Sequence, residues 1–245
     1  DGWTMRNLNS LRVAPQNDTE FDIGITPASS ARYVSYTVGL YVSGESADQH
    51  SSVQSTHIVA EPPPYHFEFH IKLTGVMNAS ASGFLAKVRF IKGDLDLLAN
   101  PIACQHVAGG VYSSGDVVIA DRRLVPDTKY ALIIKAEKHV AKKFCKITGQ
   151  TEPCKSFESF VLPPQSDTPI VFDLTGISLD PGDLIPQDGK VDTKDIQALR
   201  SLFGKACAEY TDSDKLIGDL NYSGCIDTDD AILLRRTLQT RYDEN

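Results

Sequence analysis

The sequence predicts a mainly β chain, an N-terminal antiparallel β-sandwich followed by a small α-helical module. Three observations carry that expectation. Tyr65, Phe67, Phe69, Ile71 and Leu73 alternate with His66, Glu68, His70, Lys72 and Thr74, the period of a strand with one buried face. Near the C-terminus, Asp219 to Asp230 places oxygen-bearing side chains at alternate positions around a glycine. A second copy of that pattern lies upstream, and apolar residues at helical spacing follow each copy.

Taken in order, residues 1–30 are polar and weakly patterned, with Trp3 the only tryptophan. They read as a surface arm or an irregular first strand. The alternative is an extended arm that adds to a neighbour's sheet, since sheet edges accept foreign strands through main-chain hydrogen bonds. Tyr33 to Val42 reads as a strand and Gly44 to Ser55, polar and Ser-rich, as a loop. The alternating run Tyr65 to Thr74 comes next. Phe84, Ala86, Val88 and Phe90 then share one side of a further strand, Phe84 to Ile91. Asp116 to Ala120, Tyr130 to Ala136, Phe157 to Leu162 and Ile170 to Leu174 supply more. Gly, Pro, Asn and Asp clusters separate these segments, and no helix is expected before residue 190. Short strands with such turns predict a sandwich over 31–178, leaving 179–245 as the helical module.

The loop in that module has the layout a hard cation needs. Calcium takes about 6–8 oxygen ligands, and a 12-residue loop supplies them at alternate positions with glycine at the sharp turn. Asp219, Asn221 and Ser223 would point inward, Cys225 would offer its carbonyl, Asp227 would act directly or through water, and Asp230 would close the site. The upstream copy matches at an offset of 35 after the glycine, pairing Gly189, Val191, Asp192, Asp195 and Leu199 with Gly224, Ile226, Asp227, Asp230 and Leu234. Before the glycine the offset is 36, pairing Gly182, Asp183 and Leu184 with Gly218, Asp219 and Leu220. The first loop therefore carries one extra residue, and Ile185-Pro186-Gln187 stands where a ligand is expected. Its donors would be Asp183, Asp188, Asp192 and Asp195, with the Lys190 carbonyl. Ile196, Leu199, Leu202 and Phe203, then Ala231, Leu234 and Leu238, follow at helical spacing, so two amphipathic helices should pack together.

This duplicated loop–helix resembles a dockerin module, most specifically in the second copy, Gly-Asp-Leu-Asn-x-x-Gly-x-Ile-Asp-x-x-Asp. The resemblance covers Asp180 to Arg241, about a quarter of the chain. It implies bound calcium and a cohesin-like β-sandwich partner, or neighbouring copies of this chain. It also implies partner contacts just before each closing aspartate: Thr193 and Lys194 in one copy, Thr228 and Asp229 in the other. Arg200, Arg235 and Arg236 are further contact candidates; an ordinary solvated helix face is the plain alternative for all seven. Cys145 and Cys154 flank a turn-rich span and are expected to bridge it. Cys207 and Cys225, both within the dockerin-like module, are expected to form a second bridge. Cys104 is left over, to be buried, reactive or joined to another chain.

Composition points outside the cell. Of the formal charge of −8, most belongs to residues from Asp180 onward, where 14 acidic residues stand against 8 basic ones, an excess that bound cations would offset. No basic stripe with aromatic platforms suggests nucleic acid, and no apolar run approaches the ~20 residues of a membrane span. The start at Asp1, without leader or methionine, is read as a processed secreted form. For an enzyme the materials are thin. Glu61, Glu68, Asp94 and Asp96 could serve a glycoside hydrolase, but nothing pairs them at the required separation. His66 and His70 flank Glu68, yet residues four apart on a strand lie about 13 Å apart, too far for one ion. The basic run Lys138, His139, Lys142, Lys143 and Lys146 reads as a solvated strand face, or as a surface for an anionic glycan or an acidic neighbour. The expected function is non-catalytic, calcium-dependent protein–protein assembly at the cell surface, with head-to-tail filaments one outcome. A carbohydrate-binding sandwich tethered by its dockerin is the alternative, and a glycoside hydrolase stands third.

Overall fold

A computed structural model describes residues 64–76, 83–93, 95–98, 100–121, 123–155, 158–184, 186–238 and 242–244, with the strand segments 4–5, 25–26, 35–40 and 54–59. The chain divides into two compact units, residues 1–63 and 64–245. In the first, β1 (Thr4–Met5) pairs antiparallel with β2 (Ile25–Thr26), and β3 (Ser35–Leu40) with β4 (Gln54–Val59). The β3 strand lies within the expected segment. The β4 strand takes the last two residues of the stretch read as a loop; the rest of that stretch, Trp3 and most of the arm lie outside the described residues.

The second unit holds a curled, mainly antiparallel sheet of ten strands. They are β5 (Tyr65–Leu73), β6 (Phe84–Lys92), β7 (Leu95–Leu98), β8 (Ile102–Ala108), β9 (Val111–Ser113), β10 (Val117–Ile119), β11 (Lys129–Ala136), β12 (Lys142–Phe144), β13 (Phe160–Val161) and β14 (Ile170–Leu179). The order β10-β5-β9-β8-β6-β11-β12 forms one continuous ladder, with β7 on β6, β13 on β11 and β14 on β5. The β14–β5 pair is the parallel one, with a register shift between Asp173 and Ser178. Every odd residue from Tyr65 to Leu73 is buried, as alternation predicts. Because the sheet curls, those side chains meet residues of strands that are not their neighbours. Phe67 packs against Phe90 of β6 at 5.3 Å between ring centroids, three strands away along the ladder, as well as against Phe172 of its neighbour β14 at 5.8 Å. At the start of β11 the Tyr130 hydroxyl donates to the Arg123 carbonyl and accepts from the Val125 amide, both at 3.0 Å, which locks the turn before the strand.

The short strands β7, β8, β9 and β12 were not expected. Only the first half of β8 alternates in burial, and β9 and β12 have three residues each. Such strands carry too little pattern to be read from sequence and owe their existence to the ladders beside them.

Helices α1 (Thr193–Leu202), α2 (Asp212–Gly218) and α3 (Thr228–Thr237) follow, with a short 3₁₀ turn at Cys207–Glu209. The helix α2 is an addition to the expected pair: Thr211 caps it, and its few apolar residues give no readable stripe. Leu199 of α1 and Leu233 and Leu234 of α3 enter one apolar cluster with Val140, Leu184, Val191, Tyr210, Leu220 and Ile226. Ile196 and Phe203, expected in the buried stripe, stay 39% and 38% exposed.

This cluster includes Val140 from the sheet side, so sheet and helices belong to one unit rather than hanging on a tether. The connection is pinned as well. Val140 N–H donates to the Asp180 carbonyl at 2.9 Å, Gly182 N–H to that of Lys138 at 2.6 Å, and His139 bridges to Pro181.

Candidate metal centre

The two loops share five hydrogen bonds at equivalent positions. In the second, the Asp230 carboxylate accepts from the amides of Leu220 at 2.7 Å and Asp227 at 2.8 Å. In the first, Asp195 accepts from Leu184 at 2.8 Å and Asp192 at 2.7 Å. The Gly224 amide donates to Asp219 Oδ2 at 2.8 Å, and Gly189 to Asp183 Oδ2 at 3.1 Å. Cys225 N–H meets Ser223 Oγ as Lys190 N–H meets Asp188 Oδ1. Asp229 N–H meets Asp227 Oδ1 as Lys194 N–H meets Asp192 Oδ1. These equivalences carry the offset of 36 before the glycine and 35 after it, so the extra residue of the first loop lies between Asp183 and Asp188. Gly224 and Gly189 have φ of +87° and +80°, where a side chain would strain the backbone.

The aspartates at the helix starts have two roles. Asp192 and Asp227 are N-caps, and Asp195 and Asp230 complete capping boxes by accepting the cap residue's own amide. Satisfying two orphan donors reciprocally fixes each helix start. It also turns the closing carboxylate back over its loop.

Asp219 and Asp230 are buried. Burial raises the Asp230 carboxyl from 3.8 to about 6, against the pull of three backbone amides. Asn221, Ser223 and Asp227 border one open depression with Asp229, Ile232 and Arg236. Among the described residues, no group of three or more His, Cys, Asp or Glu side chains stands together. The second loop instead offers carboxylates at its first and last positions, with Asn221, Ser223 and main-chain oxygen between. Among the described residues, none of Asp219, Asp227 and Asp230 has an ion-pair partner within 4.0 Å.

Among the described residues, the first loop lacks counterparts of the bonds to the Asn221 and Ser223 amides, and its charges are arranged differently. Lys135, from β11, sets its ammonium on Asp183 Oδ2 and, at 2.7 Å, on Asp243 Oδ2. Asp183 is wholly buried and its Oδ1 has no hydrogen-bond partner. Burial pushes its carboxyl up, while Lys135 opposes that shift.

Lys135 gave no sequence signal, lying on a strand of the other half of the unit. The neighbouring basic run was read as a solvated face, and here the structure corrects the expectation. Lys138, His139 and Lys142 are buried. The Lys138 ammonium donates to the carbonyls of Asp219 at 2.5 Å and Lys215 at 3.2 Å and lies 4.2 Å from the Tyr222 ring centre. Lys142 pairs with Asp180 at 3.2 Å and Glu244 at 3.5 Å. An acidic neighbour was one expected alternative, and it is supplied by the same chain. Burial lowers Lys138 to about 8 and His139 to about 4.

Both expected disulfides are present, Cys145–Cys154 and Cys207–Cys225, and Cys104 is buried, its thiol pushed up to about 12. Gln150 fills the first bridged turn, its Oε1 accepting the Cys145 amide at 2.6 Å. The contact candidates Thr193, Lys194, Arg200, Thr228, Asp229, Arg235 and Arg236 are all exposed. Of the carboxylates weighed for catalysis, Glu68 bonds His70 at 2.9 Å and Ser113 at 2.8 Å, and Asp96 pairs with Arg89. Glu61 and Asp94 lie outside the described residues. His66 bonds Asp116 rather than sharing a ligand with His70. Among the described residues, no helix is long and apolar enough to cross a membrane.

Comparison with protein-family models finds none that matches this chain, and comparison with curated proteins finds no match.

Proposed function

We propose that this chain is a non-catalytic, calcium-stabilised extracellular protein whose dockerin-like module mediates assembly with another protein. The observation that carries the reading is the shared hydrogen-bonding scheme of the two loops. Each turns buried carboxylates inward from its first and last positions, and those of the second loop have no ion-pair partner within 4.0 Å among the described residues. Asp219, Asn221, Ser223, Asp227 and Asp230, with the Cys225 carbonyl, would hold calcium there. The ion would supply positive charge to a loop that otherwise keeps like charges together. Two disulfides favour an oxidising, extracellular setting. The curled sheet is read as a sandwich whose inner faces pack on each other. The Tyr130 hydroxyl supports this, reaching back to the backbone before its strand as a tyrosine corner does.

Exposed Thr228, Asp229, Arg235 and Arg236 on α3, and Thr193, Lys194 and Arg200 on α1, offer the contact surface. The partner is a cohesin-like sandwich or a neighbouring copy of the chain. A glycan platform is disfavoured, because the placed strand aromatics point inward, Tyr65, Phe67, Phe69, Phe90 and Phe172 all being buried. Light scattering with negative-stain imaging, in millimolar calcium and then in chelator, tests the reading. Oligomers or fibres that dissociate without calcium support self-assembly. A monomer in both conditions, unable to bind a cohesin-like domain, would remove the assembly role.

A further inference from the structure

We propose that Lys135 is the resident cation of the first loop, so that the chain takes up a single calcium ion, at the second. This rests on reading the two loops as one calcium-binding design, and the juxtaposition of Lys135, Asp183 and Asp243 separates them. Asp183 holds the first position of its loop as Asp219 does in the other, and each accepts its loop glycine's amide. Asp219 spends its remaining oxygen on the Ser223 amide at 2.9 Å. Asp183 instead shares that same Oδ2 with an ammonium, which reaches the loop from β11, and its buried Oδ1 has no hydrogen-bond partner.

That ammonium is held from a second side. Residues 242–244 run across the first loop: Tyr242 bridges to Lys190, and Asp243 N–H donates to the Gly189 carbonyl at 2.9 Å. Asp243 contributes both carboxylate oxygens to Lys135, at 2.9 and 2.7 Å, and Oδ1 also takes the Ala141 amide at 2.6 Å. A Cβ on Gly189 would lie 2.8 Å from Asp243 Oδ2, so the strap sits against the loop's turn. The Lys135 side chain is only 15% exposed. A divalent ion entering beside Asp183 would meet a like charge at close range, in a setting that screens it poorly. Ile185-Pro186-Gln187, where the second loop supplies Asn221, further thins the oxygen donors on offer to a metal.

The corresponding lysine of the second loop does the opposite. Lys138 addresses main-chain carbonyls of Asp219 and Lys215 and leaves the aspartate carboxylates to the loop amides. One loop thus has an ammonium of the chain seated on its first carboxylate, while among the described residues no ion pair within 4.0 Å reaches the carboxylates of the other.

The test is calorimetric titration of calcium into the full-length, disulfide-intact chain after stripping with chelator. One equivalent is expected, lost in Asp219→Asn and retained in Asp183→Asn. Two equivalents in the parent overturn the inference, as does one that survives Asp219→Asn but not Asp183→Asn. No binding at all would instead defeat the calcium reading of both loops. Lys135→Met, provided its circular dichroism matches the parent, should gain a second equivalent; remaining at one overturns the role given to the ammonium. Hydrogen exchange on the unmodified chain gives a check that needs no variant. Added calcium should slow exchange at Leu220, Ser223, Gly224 and Asp227 and leave Leu184, Gly189 and Asp192 unchanged. Equal slowing in both loops overturns the proposal.

Discussion

Replacing Asp230 by asparagine separates what the loop needs for folding from what it needs for metal. In the metal-free chain the carboxyl is wholly buried and raised from 3.8 to about 6. That displacement corresponds to about 3 kcal/mol of penalty on the ionised native state. A carboxyl raised by folding favours the fold below its unfolded value, and this contribution is lost as pH rises through about 6. Asparagine carries no charge to desolvate, so at pH 7 it escapes the penalty. It keeps an oxygen for the Leu220 and Asn221 amides, but its amide nitrogen then faces the Asp227 N–H, now Oδ2's donor at 2.8 Å. One orphaned donor costs about 1–2 kcal/mol. Asp230→Asn should therefore be more stable than the parent by about 1–2 kcal/mol in chelator at pH 7. Near pH 4 it should be less stable by a similar amount, because there the parent carboxyl is protonated in the fold. If calcium binds as proposed, it should reverse the order at pH 7: the parent would gain about 3 kcal/mol at a hundredfold excess over its dissociation constant, and the variant, without its closing ligand, would gain little. Urea unfolding followed by far-ultraviolet circular dichroism, with and without calcium, measures all of this. A variant less stable than the parent in chelator at pH 7 would refute the reasoning.

Three further outcomes are expected. Burial depresses His139 from 6.5 to about 4, so its contribution is present above pH 6.5 and fades as pH falls towards 4, by up to about 3 kcal/mol. Measured in calcium, which at the proposed site would keep Asp230 ionised, His139→Phe should flatten that acid limb; an unchanged limb would assign it elsewhere. Tyr130→Phe loses the bonds to Arg123 and Val125 and should cost about 1–2 kcal/mol; a thermal midpoint equal to the parent's would deny the hydroxyl its role. Replacing Cys207 and Cys225 together by serine opens a bridge spanning 18 residues, worth about 3 kcal/mol by chain entropy. Denaturant midpoints should fall accordingly, and calcium should recover part of the loss by holding the same loop.

Some of the architecture was legible because local pattern and local physics agree. Tyr65 to Leu73 is a strand with one buried face, since alternation needs no knowledge of partners. The pairing of the two loops at offsets of 35 and 36 is legible in the sequence, but the register of Asp183 against Asp188 is not, and the loop's own amides and capping aspartate set it. Both disulfides match the expected pairs, one across a turn-rich span and one within a small module, although spacing alone does not fix their connectivity. Ile196 and Phe203 were misplaced because helical spacing identifies a stripe without saying how wide a face the neighbours cover.

What only the tertiary structure decided is charge. A lysine on a strand reads as solvated, and Lys138 and Lys142 in sequence look no different from Lys143 or Lys146. Their burial depends on the chain turning back at Asp180 and on residues 242–244 crossing the first loop. The Lys135 contact joins residues 48 and 108 positions apart in the chain, a separation at which no periodicity operates. Local hydrogen bonding is written in short spacings, and so the shape of each loop is present in the sequence alone. The counter-ion of a buried carboxylate can come from anywhere the fold brings near, and only the packing of sheet on helices says that one loop has its own.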